Sequence, residues 1–297
     1  MWFDETRELL GSVLRITFEH DDVSVARKLM DRCWERIDSF QKKYSRFLPG
    51  TVLEQMNART GEWQIVDSET FSHLQRVRAL EERYPLGFSL AVKGALERLG
   101  YDSKYAFEEG DGPVAGIEGR DFLLREPCEV FIQHPIEFGG FGKGYALDIA
   151  VDILKSECKN MCLDFGGDLY AKGVNEKGER WRMIIESPFQ IDEAIGVVEL
   201  DDSFLTTSNT LKRRWGPRGE HHHLIDPRTG ESANYWVGSS VLASSGMEAD
   251  FLATALFCTN IEDIDSASSS LSGAHFMLVD PSGKIFQHDF SVVLFSK

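Results

Sequence analysis

The side chains most able to do chemistry lie in two stretches. In Glu248-Ala249-Asp250-Phe251-Leu252-Ala253-Thr254-Ala255-Leu256-Phe257, Asp250 and Thr254 stand four residues apart. On a helix both oxygens then leave the same side. A carboxylate beside a hydroxyl is a hard oxygen pair, suited to Mg²⁺, which takes few protein ligands and leaves room for phosphate oxygens. The plainer reading, favoured on this stretch alone, is an Asp meeting free N–H groups near a helix start and a Thr bonding back along its own helix. The second stretch is Glu137-Phe138-Gly139-Gly140-Phe141-Gly142-Lys143-Gly144-Tyr145-Ala146-Leu147-Asp148. Four glycines and a lysine in front of a helical pattern bring backbone N–H groups and a helix dipole toward an anion such as phosphate. The spacing matches neither common nucleotide fingerprint. A tight turn with a solvated lysine fits it as well.

A third segment, Glu220-His221-His222-His223-Leu224-Ile225-Asp226-Pro227-Arg228-Thr229-Gly230, ends in turn residues. Neighbouring residues of a strand point to opposite faces, so the three histidines cannot converge on one zinc ion, and at most one is functional. Upstream, Leu205 to Asn209 supplies small polar groups that either bond a ligand or cap a helix.

The elements that must position these groups follow from periodicity. Leu10 to Phe18 alternates and reads as a strand. From Asp22 to Phe40, apolar residues recur at three to four, giving an amphipathic helix capped by Asp21 or Asp22. A second helix covers Ser68 to Arg83, and a glycine- and acid-rich connection spans residues 108–119. Cys128 to Ile132 is a strand leading into the glycine segment, and the helix after it runs to about Lys159-Asn160. Strands are expected at Met161–Asp164, Leu169–Gly173, Arg180–Glu186, Ala194–Leu200, His222–Ile225, Val237–Ala243, Ala274–Val279 and Lys284–Gln287. Helices are expected at Gly246–Cys258 and Ile261–Leu271. Clustered rather than alternating elements point to an α+β fold with a largely antiparallel sheet, in one domain over residues 1–297.

The chain carries 48 acidic against 32 basic residues, a formal charge of −16, which excludes a nucleic-acid surface. No run approaches the ~20 apolar residues of a membrane span. Met1 to Arg7 has neither the basic nor the apolar region of a secretory signal, so the expected location is cytoplasmic, or periplasmic if a leader was removed. The five cysteines are scattered and odd in number, which reads as reduced thiols.

In this order, the segments resemble the ApbE family of FAD:protein FMN transferases. The family's D-L-G-G-x-A-K-G-Y-A-x-D is similar to Glu137–Asp148, and its N-L-G-G-D to Asp164-Phe165-Gly166-Gly167-Asp168. Its S-H-I-I-D-P-R-T-G is similar to His222–Gly230, and its A-D-A-L-A-T-A to Ala249–Ala255. Its early S-x-Y…S-x-L-N is echoed by Lys43-Tyr44-Ser45 and by Leu53 to Asn57. The resemblance implies an α+β fold with two lobes around an FAD cleft. It implies transfer of FMN from FAD, through a phosphoester, to a threonine of an acceptor flavoprotein, with release of AMP. Matching positions imply Mg²⁺ held by Asp250, Thr254 and the Gly142 carbonyl. FAD would lie along Gly139, Lys143 and Tyr145, near Tyr44, Phe88 and Ile225. His223 would be the general base, a task suited to a histidine near its ordinary pKa. Glu137 and Gly142 stand where the family has Asp and Ala, and Phe88-Ser89-Leu90 replaces F-D-P, removing a carboxylate. The alternatives are a metal-dependent FAD pyrophosphatase and a non-catalytic FAD-binding or storage protein.

Overall fold

The chain enters on a hairpin in which β1 (Trp2–Leu9) pairs antiparallel with β2 (Ser12–Glu19). The computed structural model describes residues 1–102, 107–110, 116–117, 119–211 and 213–295, so residues 111–115 and 118 of the glycine- and acid-rich connection lie outside it. In β2, Leu14, Ile16 and Phe18 alternate into the core with no exposure. Helix α1 (Val23–Tyr44) follows, with the Asp22 carboxylate accepting from the N–H groups of Ser24 and Val25. Its buried stripe is Ala26, Leu29, Met30, Cys33, Trp34, Ile37, Phe40 and Tyr44.

Next come α2 (Val52–Asn57), β3 (Trp63–Ile65), α3 (Ser68–Arg83), α4 (Lys93–Arg98), β4 (Phe122–Arg125) and β5 (Glu129–Ile132). The three strands form a small sheet in the order β3-β5-β4. Helix α5 (Gly142–Leu154) leads to β6 (Met161–Phe165) and β7 (Asp168–Lys172). Then follow β8 (Trp181–Glu186), β9 (Ala194–Leu200), β10 (Ser203–Asn209), β11 (Arg214–Trp215), β12 (His221–His222) and β13 (Gly238–Ala243). The chain closes with α6 (Gly246–Phe257), α7 (Ile261–Ser266), β14 (His275–Val279), β15 (Ile285–His288) and β16 (Val293–Leu294).

Among the described residues the main sheet has eight strands, in the order β1-β2-β6-β7-β10-β13-β14-β15. Every neighbouring pair is antiparallel. Strand alternation divides its two faces. Tyr170, Phe204, Phe276 and Leu278 face a core shared with α1, α5 and α6. Ala171, Leu205, Met277 and Val279 face the other way, against Ile185, Val198 and Leu200 of the β16-β9-β8 sheet. Each buried large aliphatic side chain contributes about 1.5–3 kcal/mol relative to exposure. Helix α6 is buried nearly all round, Met247, Phe251, Leu252, Leu256 and Phe257 among its core residues, because the sheet covers one side and α5 the other.

The α+β class with a largely antiparallel sheet is therefore what the chain adopts. Strand β1 escapes a periodicity reading because it is an edge carrying Asp4, Glu5, Arg7 and Glu8, all of them exposed. The stretch from Leu205 to Asn209 is not a helix cap but most of β10, a central strand whose Thr206 is buried. The strand expected at His222–Ile225 shrinks to the two residues of β12, since the turn around Asp226 takes over the backbone bonding. Helix α5 stops at Leu154, earlier than expected. Among the described residues no helix is long and apolar enough to cross a membrane.

Candidate active site

The glycine segment brings two helices into backbone contact. A Cβ on Gly144 would lie 2.0 Å from the Gly246 carbonyl oxygen, and one on Gly246 would lie 2.2 Å from that of Gly144. Only glycine at both positions lets α5 and α6 approach so closely. At this crossing the Gly144 N–H, one of the free donors of the first turn of α5, donates to Asp250 Oδ2 at 2.9 Å. Asp148, one turn along α5, accepts from the Ser245 hydroxyl and from the N–H groups of Gly246 and Met247 at 3.0, 2.6 and 3.0 Å. The last residue of the glycine motif thus caps α6 from outside that helix, and burial raises its pKa.

A cavity of about 500 Å³ opens where these helices meet the sheet. It is lined by Tyr44, Phe88, Gly139, Gly142, Lys143, His223, Ile225, Asp250 and Thr254, nine of the ten residues named from the sequence. Tyr145 is the tenth. Its ring packs on Phe40 and His73, with the Arg76 guanidinium above it, and it is not among the lining residues. Two positions along a helix turn a side chain by about 200°, so Tyr145 and Lys143 leave α5 on opposite sides. Phe88 lies against Phe251 and over Gly140, where a Cβ would meet its ring at 2.8 Å.

Charges inside the cavity are arranged in pairs. The Lys143 ammonium is ion-paired with Asp168, a carboxylate of the Gly166-Gly167-Asp168 turn with no exposure. Burial acts against the charge of Lys143, but Asp168 and Asp250 outweigh it and keep the ammonium protonated. Burial likewise pushes the Asp168 carboxyl up, against the pull of Lys143, and its Oδ1 is buried without a partner. Glu137 accepts from the Gly139 N–H at 2.9 Å and lies 3.9 Å from the Arg46 guanidinium. Its pKa is also raised, by burial.

The histidines separate as strand geometry requires. His222 faces the core against Phe257, and burial pushes its pKa down to about 4. His223 lines the cavity, and its Nδ1 is buried without a hydrogen-bond partner. Burial and the nearby charges of Arg213, His222, Lys143 and Arg46 hold its pKa well below the ordinary histidine value. The expectation of an ordinary pKa is thereby corrected. The imidazole is neutral at physiological pH and able to take a proton. Behind it, Asp226 organises the turn, accepting from the Arg228 N–H and the Tyr235 hydroxyl at 2.9 and 2.7 Å.

The carboxylate missing at Ser89 has a neighbour. Asp121 accepts from the Ser89 hydroxyl at 2.8 Å and from the Leu90 N–H at 2.6 Å, but it caps that turn and is not among the cavity's lining residues. Arg46, Arg213 and the partner role of Asp168 are missing from the sequence-derived set. Lys212-Arg213-Arg214, a basic run in an acidic chain, was the available signal.

The donor set suits a small hard cation. Neither Asp250 Oδ1 nor the Thr254 hydroxyl has a protein partner among the described residues, and the Gly142 backbone lies beside them in the cavity lining. No group of three or more His, Cys, Asp or Glu side chains forms a metal cage among the described residues. An ion here would keep positions for water and phosphate oxygens, the habit of Mg²⁺.

A sequence model described as the ApbE family matches residues 10–277. A FAD:protein FMN transferase of Rhodobacter capsulatus is 28% identical over 297 residues, covering 95% of this chain and 56% of that protein. One from Chlamydia pneumoniae is 32% identical over 264 residues, covering 76% of this chain and 74% of that protein. The chain spans about half the length of the first curated relatives it matches, 56% and 47%. The crystal structure of the ApbE protein from Thermotoga maritima superposes with a TM-score of 0.86 at 24% identity, covering 97% of each chain, a likeness of fold.

Proposed function

The chain belongs to the ApbE family, and from that membership we propose that it is a Mg²⁺-dependent FAD:protein FMN transferase. One P–O bond of the FAD pyrophosphate breaks, and a phosphoester forms between the FMN phosphorus and a threonine hydroxyl of an acceptor protein. AMP leaves, and the hydroxyl proton is released. The observation that carries this reading is convergence: the glycine segment, the Gly-Gly-Asp turn, the histidine segment and α6 all line one cavity.

Asp250, Thr254 and the Gly142 carbonyl would hold Mg²⁺, which when bound would offset the charge on the pyrophosphate oxygens. The remaining work belongs to the chain's own groups. His223, neutral and in the cavity lining, accepts the proton of the attacking hydroxyl. Lys143, fixed by Asp168, contributes a positive charge whose position does not depend on the substrate. Phe88, Val92, Leu96 and Ile225 line the cavity with apolar surface, which limits water as a competing nucleophile. Five free cysteines among the described residues support a reducing compartment, and with it a cytoplasmic acceptor.

The test is to incubate the protein with FAD and Mg²⁺, with and without a flavoprotein acceptor carrying a candidate threonine. AMP released only with the acceptor, together with an FMN mass shift on it, is the expected result. AMP without acceptor would make the protein a pyrophosphatase, and bound FAD without AMP a flavin store.

A further inference from the structure

Among the described residues three cations line the cavity, Arg46, Lys143 and Arg213, and they are not equivalent. Lys143 is ion-paired with Asp168. Arg46 lies 3.9 Å from Glu137, and its guanidinium is stacked 4.6 and 4.4 Å from the ring centroids of Phe47 and Tyr101. Arg213 pairs with no carboxylate among the described residues. Its one side-chain bond is to the Gly11 carbonyl at 3.3 Å, across the cavity rim on the β1–β2 turn.

Arg213 lies in the connection after β10 and lines the cavity together with His223 and Lys143. The Arg213 guanidinium thus stands in the cavity lining with its charge not neutralised by an ion pair among the described residues. The chain as a whole carries −16, so this is not a general basic surface. A planar fork with most of its donors open matches the oxygens of a phosphoryl group.

We infer that Arg213 is a phosphate-binding residue of this cavity, taking a phosphoryl group of the dinucleotide. The inference rests on the flavin-transfer reading for the identity of the ligand. It assigns the side chain that recognises phosphate to the β10–β11 connection, outside the glycine segment. Lys143, balanced by Asp168, is a fixed part of the wall, whereas Arg213 can close on the ligand.

The experiment measures binding to the purified chain, with Mg²⁺ present, of FAD, ADP, adenosine and riboflavin. The variants are R213Q, R213K and, as a control for net charge, R218Q, whose side chain is 87% exposed and away from the cavity lining. R213Q should weaken FAD and ADP by roughly tenfold or more, as loss of a charge-assisted hydrogen bond implies. It should leave riboflavin and adenosine unchanged and flatten the salt dependence of ADP binding. R213K should recover part of the loss, and R218Q should match the parent. Equal weakening of riboflavin and FAD would reduce Arg213 to a structural role, and unchanged ADP binding would overturn the inference. A parent protein that binds ADP through Arg213 but transfers no FMN would sink the transferase reading alone.

Discussion

The Gly144 N–H donates to Asp250 Oδ2 across 106 positions of sequence, and with the bonds that Asp148 accepts it joins the glycine segment to α6. This bond holds the carboxylate through Oδ2, and Oδ1 has no hydrogen-bond partner among the described residues. It is possible only because Gly144 and Gly246 carry no side chains where the two backbones touch.

Gly144→Ala tests that contact. The new methyl group would meet the Gly246 carbonyl at 2.0 Å and Asp250 Cβ at 2.7 Å, so the helices must part. Overpacking of this kind costs about 1–3 kcal/mol, and here the yielding atoms are mainly backbone. A lower denaturant midpoint with an unchanged slope is expected, together with loss of FAD binding. A variant of parental stability would show that the crossing is looser than described.

Asp250→Asn keeps the size and one acceptor oxygen but removes the charge a cation needs. The variant should fold, since the Gly144 bond can persist, and should release AMP at least roughly 100-fold more slowly than the parent. Chelation of the parent should give the same loss, reversed by added Mg²⁺. Full activity of the variant would remove Asp250 from the metal site.

Much of the site was legible because its signals are local. The Asp250–Thr254 spacing, the Asp22 cap and α3 at Ser68–Arg83 depend on residues within one or two turns of each other. What escaped depends on distant partners. Asp168 becomes a counterion only once the β6–β7 turn meets Lys143, and Asp148 becomes a cap only once α5 meets α6. That the Tyr145 ring packs on Phe40 and His73, outside the cavity lining, depends on its rotation about the helix axis, which the order of the motif does not show. The strand β10 was read only as polar groups that bond a ligand or cap a helix, because its neighbours β7 and β13, which bury it, come from far along the chain.

His73 predicts how the fold responds to acid. It is 2% exposed, caged by Phe40, Tyr44 and Tyr145, and neither ring nitrogen has a partner. Burial pushes its pKa from 6.5 down to about 4. Below pH 6.5 the unfolded chain takes up a proton there and the folded chain does not, so stability falls as pH falls. The loss accrues down to about pH 4 and amounts to about 3 kcal/mol for this one group. His73→Phe should abolish that share, with stability declining less between pH 6.5 and 4 than in the parent. Identical pH profiles for the two proteins would show that His73 is protonated in the native state.

His223 makes the sharpest kinetic prediction, because its environment contradicts the ordinary histidine range. Its neutral form is favoured by burial and by the positive charges facing it, so in the free enzyme it remains a proton acceptor well below pH 6.5. The pH profile of kcat/KM, which reports free-enzyme groups, should therefore stay flat through that value on the acid side. Bound phosphates bring negative charge and raise the basicity of the imidazole, so the profile of kcat should bend at higher pH than that of kcat/KM. His223→Ala should slow flavin transfer by roughly 100-fold or more, the usual worth of a positioned base, while FAD remains bound. Three results would count against His223 as the base: unimpaired transfer by the variant, a kcat/KM limb centred near 6.5 in the parent, or the same limb in both proteins.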